Sequence, residues 1–379
     1  MPWAMLAAGC LAMFAASSSG TTRAPFLIDM SRDLAVSLPL VANLMAVTSI
    51  AWGVSSLFAG AGSDRWGRRP FLIGAPLGLA ACLVFLSLSQ SFLGVALWAT
   101  AAGGFAGAFT GVIMAEASAR TVDRQRGRAL GWIMAGQSMA LLVGVPIAAW
   151  LGAFVSWRGV HQAVASLGVL AAFGLFVTTL KPAPDVVAGR PAASGSLRGA
   201  MTGPVLRLLA MGVAERVCYG LTVVYFATFL QATYGLSPAG VAIPLGIFAI
   251  GNILGTVLGG QAADRLADRS RTFAVSMLGS GAVAVALFGW TPGLWETVAL
   301  GFLYALVSAV SRPSLMAALA NVPDEVRGTV LGLNVTSASV GWLGAATLGG
   351  WIMATVGFWG FGPFAAVVAV GGAVLAAKR

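Results

Sequence analysis

Gly60-Ala61-Gly62-Ser63-Asp64-Arg65-Trp66-Gly67-Arg68-Arg69 lies between two long apolar runs, and it returns in altered form 200 residues later as Gly260-Gln261-Ala262-Ala263-Asp264-Arg265-Leu266-Ala267-Asp268-Arg269. The offset recurs elsewhere. Ser37 and Ser237 open the apolar runs ahead of the two copies, and Arg126-Gly127-x-x-Leu130-Gly131 is matched by Arg327-Gly328-x-x-Leu331-Gly332 at an offset of 201. Landmarks that agree to one residue describe a chain of two homologous halves, each of about 200 residues.

Composition decides which solvent these halves face. Of 379 residues, 58% are hydrophobic and 9% charged, with a mean hydropathy of +0.89, whereas charged residues make up about 25% of water-soluble domains. Most of the surface is therefore built for lipid. The apolar runs are too long for barrel strands of about 10 residues, so a helical bundle is expected and not a membrane β-barrel. Fifty glycines suit close backbone approach between membrane helices, where no hydrophobic force draws them together. Cys10, Cys82 and Cys218 stand singly in separate apolar runs, without metal-ligand or redox spacing, and read as small apolar residues. No basic region or small-residue cleavage site accompanies the first apolar run, so it reads as a retained helix and not as a signal peptide.

Windows of about 20 apolar residues place spans at 3–28, 38–59, 71–89, 92–116, 128–152, 159–180, 204–230, 238–262, 272–290, 296–319, 328–354 and 357–377. Six spans per half give two equally oriented halves, hence a parallel repeat about an axis along the membrane normal and not an inverted one. Basic residues test this count independently, because short cytoplasmic loops accumulate Lys and Arg. With both termini inside, 17 of the 22 Lys and Arg fall on the inner side, and of the rest only Arg32 and Arg158 fall on the outer side. The formal net charge of +10 is thus a topology signal lying against an anionic leaflet, not a nucleic-acid footprint. The expected domains are a six-helix bundle over 1–180, a cytoplasmic linker rich in Pro, Ala, Gly and Ser over 181–203, and a second bundle over 204–379. The linker reads either as a plain tether or as a regulatory segment.

With these residues in hand, the chain resembles the major facilitator superfamily over essentially its whole length. Within it, the likeness is to the twelve-helix efflux branch of drug:proton antiporters and arabinose-efflux-permease-like proteins. The run Gly60, Asp64, Arg65, Gly67, Arg68, Arg69 is similar to that superfamily's signature between spans 2 and 3 at every defining position. In span 5, Gly136-x7-Gly144-Val145-Pro146, followed by Gly152 and Ser156-Trp157-Arg158-Gly159, resembles the branch's antiporter signature. The resemblance implies an all-α membrane protein with twelve spans in two parallel-repeat six-helix bundles. It implies export of a small solute by alternating access as a proton antiporter, by a functional monomer without cofactor or metal. The place implied is the plasma membrane, the bacterial inner membrane, with both termini cytoplasmic. Uptake or uniport on the same fold, and a transport-dead sensor or assembly partner, stay open. An intramembrane enzyme would need paired membrane aspartates, a His-Glu-x-x-His helix or a serine with a base at helical depth, and the sequence has none of these.

The same likeness assigns expectations to single residues. Asp64 would latch the halves against the start of span 11, near Arg327 and Gly328; read by its residues alone, the cluster serves equally as a set of topology charges. A carboxylate at Asp64 can accept hydrogen bonds from arginine or face the positive end of a helix. In the second copy Ala267 and Asp268 replace the glycine and the arginine. Gly260, Asp264 and Arg265 are therefore expected to hold the C-terminal half with less part in switching. Gly136 and Gly144 would let span 5 approach span 8 of the other half, and Pro146 would kink it, so that packing and gating coincide. Antiporters of this branch usually carry an arginine in span 4, four residues before a glycine; here the position before Gly103 is Ala99.

Ionisable groups inside a bilayer cost several kcal/mol unless paired or hydrated, which makes each one a candidate for function. Arg23 lies in span 1, Glu116 in span 4, Glu215 and Arg216 in span 7, and Arg312 in span 10. By the resemblance, those four spans line the central cavity. Glu215 and Arg216 stand about ten residues into span 7, roughly 15 Å at 1.5 Å per residue, near the midplane where transporter substrates bind. They are the first choice for the solute site, and Glu215 is the acid best placed to carry a coupled proton. Adjacent helical residues project about 100° apart, so the two are not expected to converge on one spot, and one of them can serve as a tie to another span. Arg23 either snorkels to the outer surface or faces the path, while Glu116 and Arg312, nearer the inner ends, read as interfacial. Gln137, Asn252 and Asn334 are secondary polar candidates, each equally able to bond another helix. Tyr219, Tyr225 and Trp132 are candidate aromatic walls, and His161, at the outer start of span 6, reads as interfacial. Three arginines against two glutamates within the spans favour a neutral or anionic amphipathic solute over a cation.

Overall fold

The computed structural model of the chain describes residues 1–180, 201–266, 268–322 and 324–377. Side chains at positions 61, 64, 123, 320, 324–329, 331 and 332 are outside that description. Most of the expected linker, Ala267, and the side chains of Asp64 and Arg327 therefore lie outside the described residues. All regular elements among the described residues are helical, because a peptide group in hydrocarbon finds no water and must bond within its own segment.

Among the described residues, ten stretches are long and apolar enough to cross a membrane. One of them, Arg124–Thr178, has 55 residues, about 80 Å of helix against a hydrocarbon core of about 30 Å. It is two spans divided at Ser156, whose φ of 57° and ψ of 175° belong to no helix. Asp324–Thr355 supplies span 11, and the spans are twelve.

The chain forms two compact units, Met1–Ala188 with Ser237–Ala242, and Gly189–Leu236 with Ile243–Arg379. In the first, span 1 is not the single helix expected. It runs over Trp3–Thr21, breaks, and resumes over Leu27–Asp33 after a 3-10 turn at Ala24–Phe26. Pro25 explains the break, since it has no N–H to offer the turn before it and its ring crowds that turn's carbonyl. Leu38–Trp66, Arg68–Leu88 and Phe92–Ala119 are spans 2, 3 and 4. Span 5 starts at Asp123 and carries a π-helical turn over Ala140–Gly144 just before Pro146. That wider turn, in which the Val145 N–H reaches back to the Ala140 carbonyl, absorbs the bond that Pro146 cannot make. Span 6 ends at Thr178. In the second unit, Gly203–Tyr234, Ala242–Arg265, Arg269–Gly289, Leu294–Ala320 and Phe361–Ala377 are spans 7, 8, 9, 10 and 12.

Helices that lipid does not push together must hold by contact, and both units solve this with glycine. Gly103 and Gly107 seat span 4 on the carbonyls of Thr48 and Trp52 in span 2, while Gly251, Gly255 and Gly259 seat span 8 on the carbonyls of Phe302, Leu306 and Val310 in span 10. A Cβ at any of the five would run into a backbone oxygen. The cores behind these contacts are apolar, with Met5, Leu72, Phe109, Ile113 and Leu175 in the first unit and Met211, Phe273, Met277 and Leu315 in the second.

Candidate functional site

Glu215 stands twelve residues past Gly203, roughly 18 Å into span 7, and is 1% exposed. Its carboxylate is shared by two guanidinium groups. Arg312 of span 10 donates to Oε1 from Nε and Nη2 at 3.2 and 3.0 Å, and Arg216 brings its Nε to 3.4 Å from Oε2. A carboxylate buried in a bundle without such partners would cost several kcal/mol. The guanidinium groups also lie over the Tyr219 ring, Arg312 at 4.5 Å and Arg216 at 5.9 Å from its centre. Trp342 of span 11 meets that ring edge-on at 5.9 Å, and its neighbour Gly341 makes room for Arg216, whose Cβ a side chain at 341 would strike.

Two expectations are corrected here. Glu215 and Arg216 do converge, because the long arginine side chain folds back across the angle between them. Arg312 is not interfacial: it lies eight residues before the Ala320 end of span 10, about 12 Å of helix, and its side chain covers the rest of the way to Glu215. Arg216 and Arg312 keep 22% and 21% of their side-chain exposure, against 2% for Glu215. The exposed side of the cluster is thus its positive side.

In the first unit Arg23 sits at the break in span 1 and is 0% exposed, so it does not snorkel. Its Nη1 donates to Thr48 Oγ1 at 2.8 Å and to the Leu44 carbonyl at 3.5 Å, both in span 2. Thr48 Oγ1 is in turn 3.3 Å from the Ala99 carbonyl. The guanidinium therefore comes from span 1 into the neighbourhood of the span 4 position that carries no arginine. His161 is also 0% exposed and not interfacial; its Nδ1 donates to the Trp157 carbonyl at 2.7 Å.

At the inner ends, Gly67 joins span 2 to span 3 with φ 83° and ψ 158°, a conformation open mainly to glycine. The turn aims Arg68 at Glu116, 3.5 Å away, and Arg120 meets the same carboxylate at 2.6 Å. Arg65 lies over Trp66 and Arg69 over Phe176, and Gly60 has open space around it. In the second copy Asp264 and Arg265 are exposed. Asp268, which replaces an arginine, caps span 9 by accepting from the Arg271 N–H at 2.9 Å, while Arg269 donates to the Ala263 carbonyl at 3.4 Å.

Within the first unit, Gly136 and Gly144 admit span 1: a Cβ on Gly136 would strike the Cys10 carbonyl, and one on Gly144 would sit 3.0 Å from Ser18 Oγ. Of the secondary candidates, Gln137 is exposed, Asn252 is buried with Nδ2 unpartnered, and Asn334 donates to Met316 Sδ at 3.4 Å. Tyr225 donates to the Ala346 carbonyl and Trp132 packs on Trp3, so of the three aromatic candidates Tyr219 alone joins the charge cluster. Sequence reasoning missed Trp342 and Gly341. The available signal was the small-residue series Gly341, Gly344 and Gly349 in span 11, all of which face span 7.

The sequence model of the Major Facilitator Superfamily matches residues 9–237 and again 208–379, one match for each half. The chain is similar to a chloramphenicol resistance protein of Streptomyces lividans, 27% identical over 359 residues that cover 92% of this chain and 89% of that protein. It is also similar to the purine ribonucleoside efflux pump NepI of Salmonella enteritidis, 26% identical over 294 residues, 74% of this chain and 70% of the pump. Among solved structures, a bacterial homolog of the human lysosomal transporter Spinster, inward-facing and unoccupied, matches in fold with a TM-score of 0.75 at 18% identity, covering 98% of this chain and 92% of that one.

Proposed function

The chain belongs to the Major Facilitator Superfamily, and from that premise we propose that it exports a small neutral aromatic solute in exchange for protons. It is a multi-pass membrane protein that transports small molecules and not an enzyme. The observation that carries the proposal is the sharing of Glu215 between Arg216 and Arg312 beside Tyr219 and Trp342. The arginines offer hydrogen-bond donors, the rings offer an apolar wall, and the excess of positive charge disfavours a hydrophobic cation. The two similar proteins named for chloramphenicol and purine ribonucleosides support an aromatic solute.

The sign of proton linkage separates a neutral solute from an anionic one. A proton on Glu215 removes the charge that compensates Arg216 and Arg312, so an anion binds better when Glu215 is protonated. Anion and proton would then travel together. Exchange needs a solute that binds the ionised cluster and leaves when a proton arrives, which a neutral molecule can do. In the cycle proposed here Asp64 is the latch at the inner face, and span 5 flexes at its π-helical turn and Pro146. The working form is a single chain in the bacterial inner membrane with both termini inside, an orientation supported by the basic residues of the inner loops.

Proteoliposomes test this directly, with labelled chloramphenicol and a purine ribonucleoside as solutes. Acid on the side opposite the solute should speed transport several-fold, and Glu215→Gln should abolish that response. Transport of neutral solutes that ignores the gradient, or transport of aromatic carboxylates in their place, would overturn the reading.

A further inference from the structure

We propose that the Nε–Nη2 edge of Arg23 is a binding site for a small carboxylate anion inside the N-terminal bundle. The guanidinium has two usable edges and a single tip in use: Nη1 is committed to Thr48 and Leu44, while Nε and Nη2 are buried without a partner. Those two N–H groups point in parallel, at the spacing of the two oxygens of a carboxylate, so one planar ion satisfies both. Among the described residues no ion pair reaches Arg23. Asp33 is held by Trp157 Nε1 at 2.8 Å and by Arg158 at 2.5 Å, and Glu116 by Arg68 and Arg120. A fully buried guanidinium with two idle donors and no counter-charge is a costly arrangement in a membrane bundle. An anion from solution removes that cost.

The hydroxyls of Ser17 and Ser18, in the turns of span 1 ahead of Arg23, are likewise buried and unpartnered and can donate to carboxylate lone pairs, whereas His161 Nε2, with Nδ1 donating to Trp157, is an acceptor and offers an anion nothing. Access comes from the backbone. Arg23 is carried by the break between Thr21 and Leu27, where Pro25 interrupts the helical bonds of span 1, so local opening of that turn uncovers the edge without unfolding either helix. Arg23 is 0% exposed, which favours the smallest carboxylates, formate and acetate.

The test is thermal unfolding of the purified full-length chain in detergent, followed by tryptophan fluorescence, with sodium acetate replacing sodium chloride at constant ionic strength. The wild type should gain about 5 °C at a hundredfold excess over the dissociation constant. Arg23→Gln should lose that gain and unfold in chloride no earlier than the wild type, because an uncompensated charge has been removed. Arg23→Lys, which keeps the charge but not the fork, should lose the preference for acetate over chloride. Three outcomes would each overturn the site: no difference between acetate and chloride in the wild type, an unchanged acetate response in Arg23→Gln, or early unfolding of Arg23→Gln in chloride. The last would make Arg23 a structural tie to span 2. None of these readouts involves transport, so failure here leaves the export reading standing, and failure of export leaves this site standing.

Discussion

Glu116 and Glu215 are both buried and each is held by two arginines, yet their surroundings assign them different work. The partners of Glu116 come from helix ends, and Arg68 keeps 35% of its side-chain exposure, so water can take over when the carboxylate charge is lost. Glu116→Gln is therefore expected to cost about 1–3 kcal/mol, read as earlier thermal unfolding, with transport per folded molecule unchanged. Glu215→Gln leaves Arg216 and Arg312 without their counter-charge and should also unfold earlier, but it should in addition remove the response of the folded molecule to a proton gradient. A transport loss at Glu116 equal to that at Glu215 would show that depth in the bundle does not separate the two. The sequence made Glu215 legible because depth can be counted along a helix, about 1.5 Å per residue. It hid Arg312 because the count locates Cα atoms, while a guanidinium acts several Å from its own. It hid the state of Arg23 for another reason: the charge is visible in the sequence, but burial depends on Thr48 and Leu44, which lie more than 20 residues away along the chain.

Elements obey the same division between what is local and what is not. Hydropathy located the spans, since lipid imposes helix on any apolar run of sufficient length, and Pro146 marked where span 5 gives way, whereas the break at Pro25 inside span 1 was not read from the sequence. The close helix contacts were not legible, because a glycine in a membrane helix is equally at home against lipid. Gly60 and Gly136 illustrate this. A Cβ at Gly60 meets nothing within 4 Å, whereas one at Gly136 strikes the Cys10 carbonyl of span 1. Gly136→Leu is expected to push span 5 off span 1 and cost at least about 1–3 kcal/mol, seen as lower yield and earlier unfolding. Gly60→Ala should leave unfolding unchanged, so any transport defect it causes belongs to switching between states. Early unfolding of Gly60→Ala, or an unperturbed Gly136→Leu, would reverse these assignments.

For the whole molecule, the number of crossings and the orientation are one question, because each crossing reverses the side on which the next loop emerges. The weight falls on Arg124–Thr178, a helical stretch of 55 residues that makes two spans because its backbone turns at Ser156. Ser91, ahead of span 4, follows three crossings, and Ser237, ahead of span 8, follows seven if that stretch crosses twice. With both termini inside, as proposed, both then lie on the outer face, although they belong to different sequence halves. Were the stretch a single crossing, Ser237 would follow six and lie inside. Gln125, at the start of span 5, follows four crossings and tests the inner face, where the Arg-rich loops favour retention. All three positions are exposed, so single cysteines there, in a chain whose Cys10, Cys82 and Cys218 are replaced by alanine, can be probed with a membrane-impermeant maleimide. Intact cells should label Ser91→Cys and Ser237→Cys and spare Gln125→Cys, and everted vesicles should give the reverse. Opposite labelling of Ser91→Cys and Ser237→Cys would break the twelve-span count, whereas inversion of all three would keep the count and turn the protein over in its membrane.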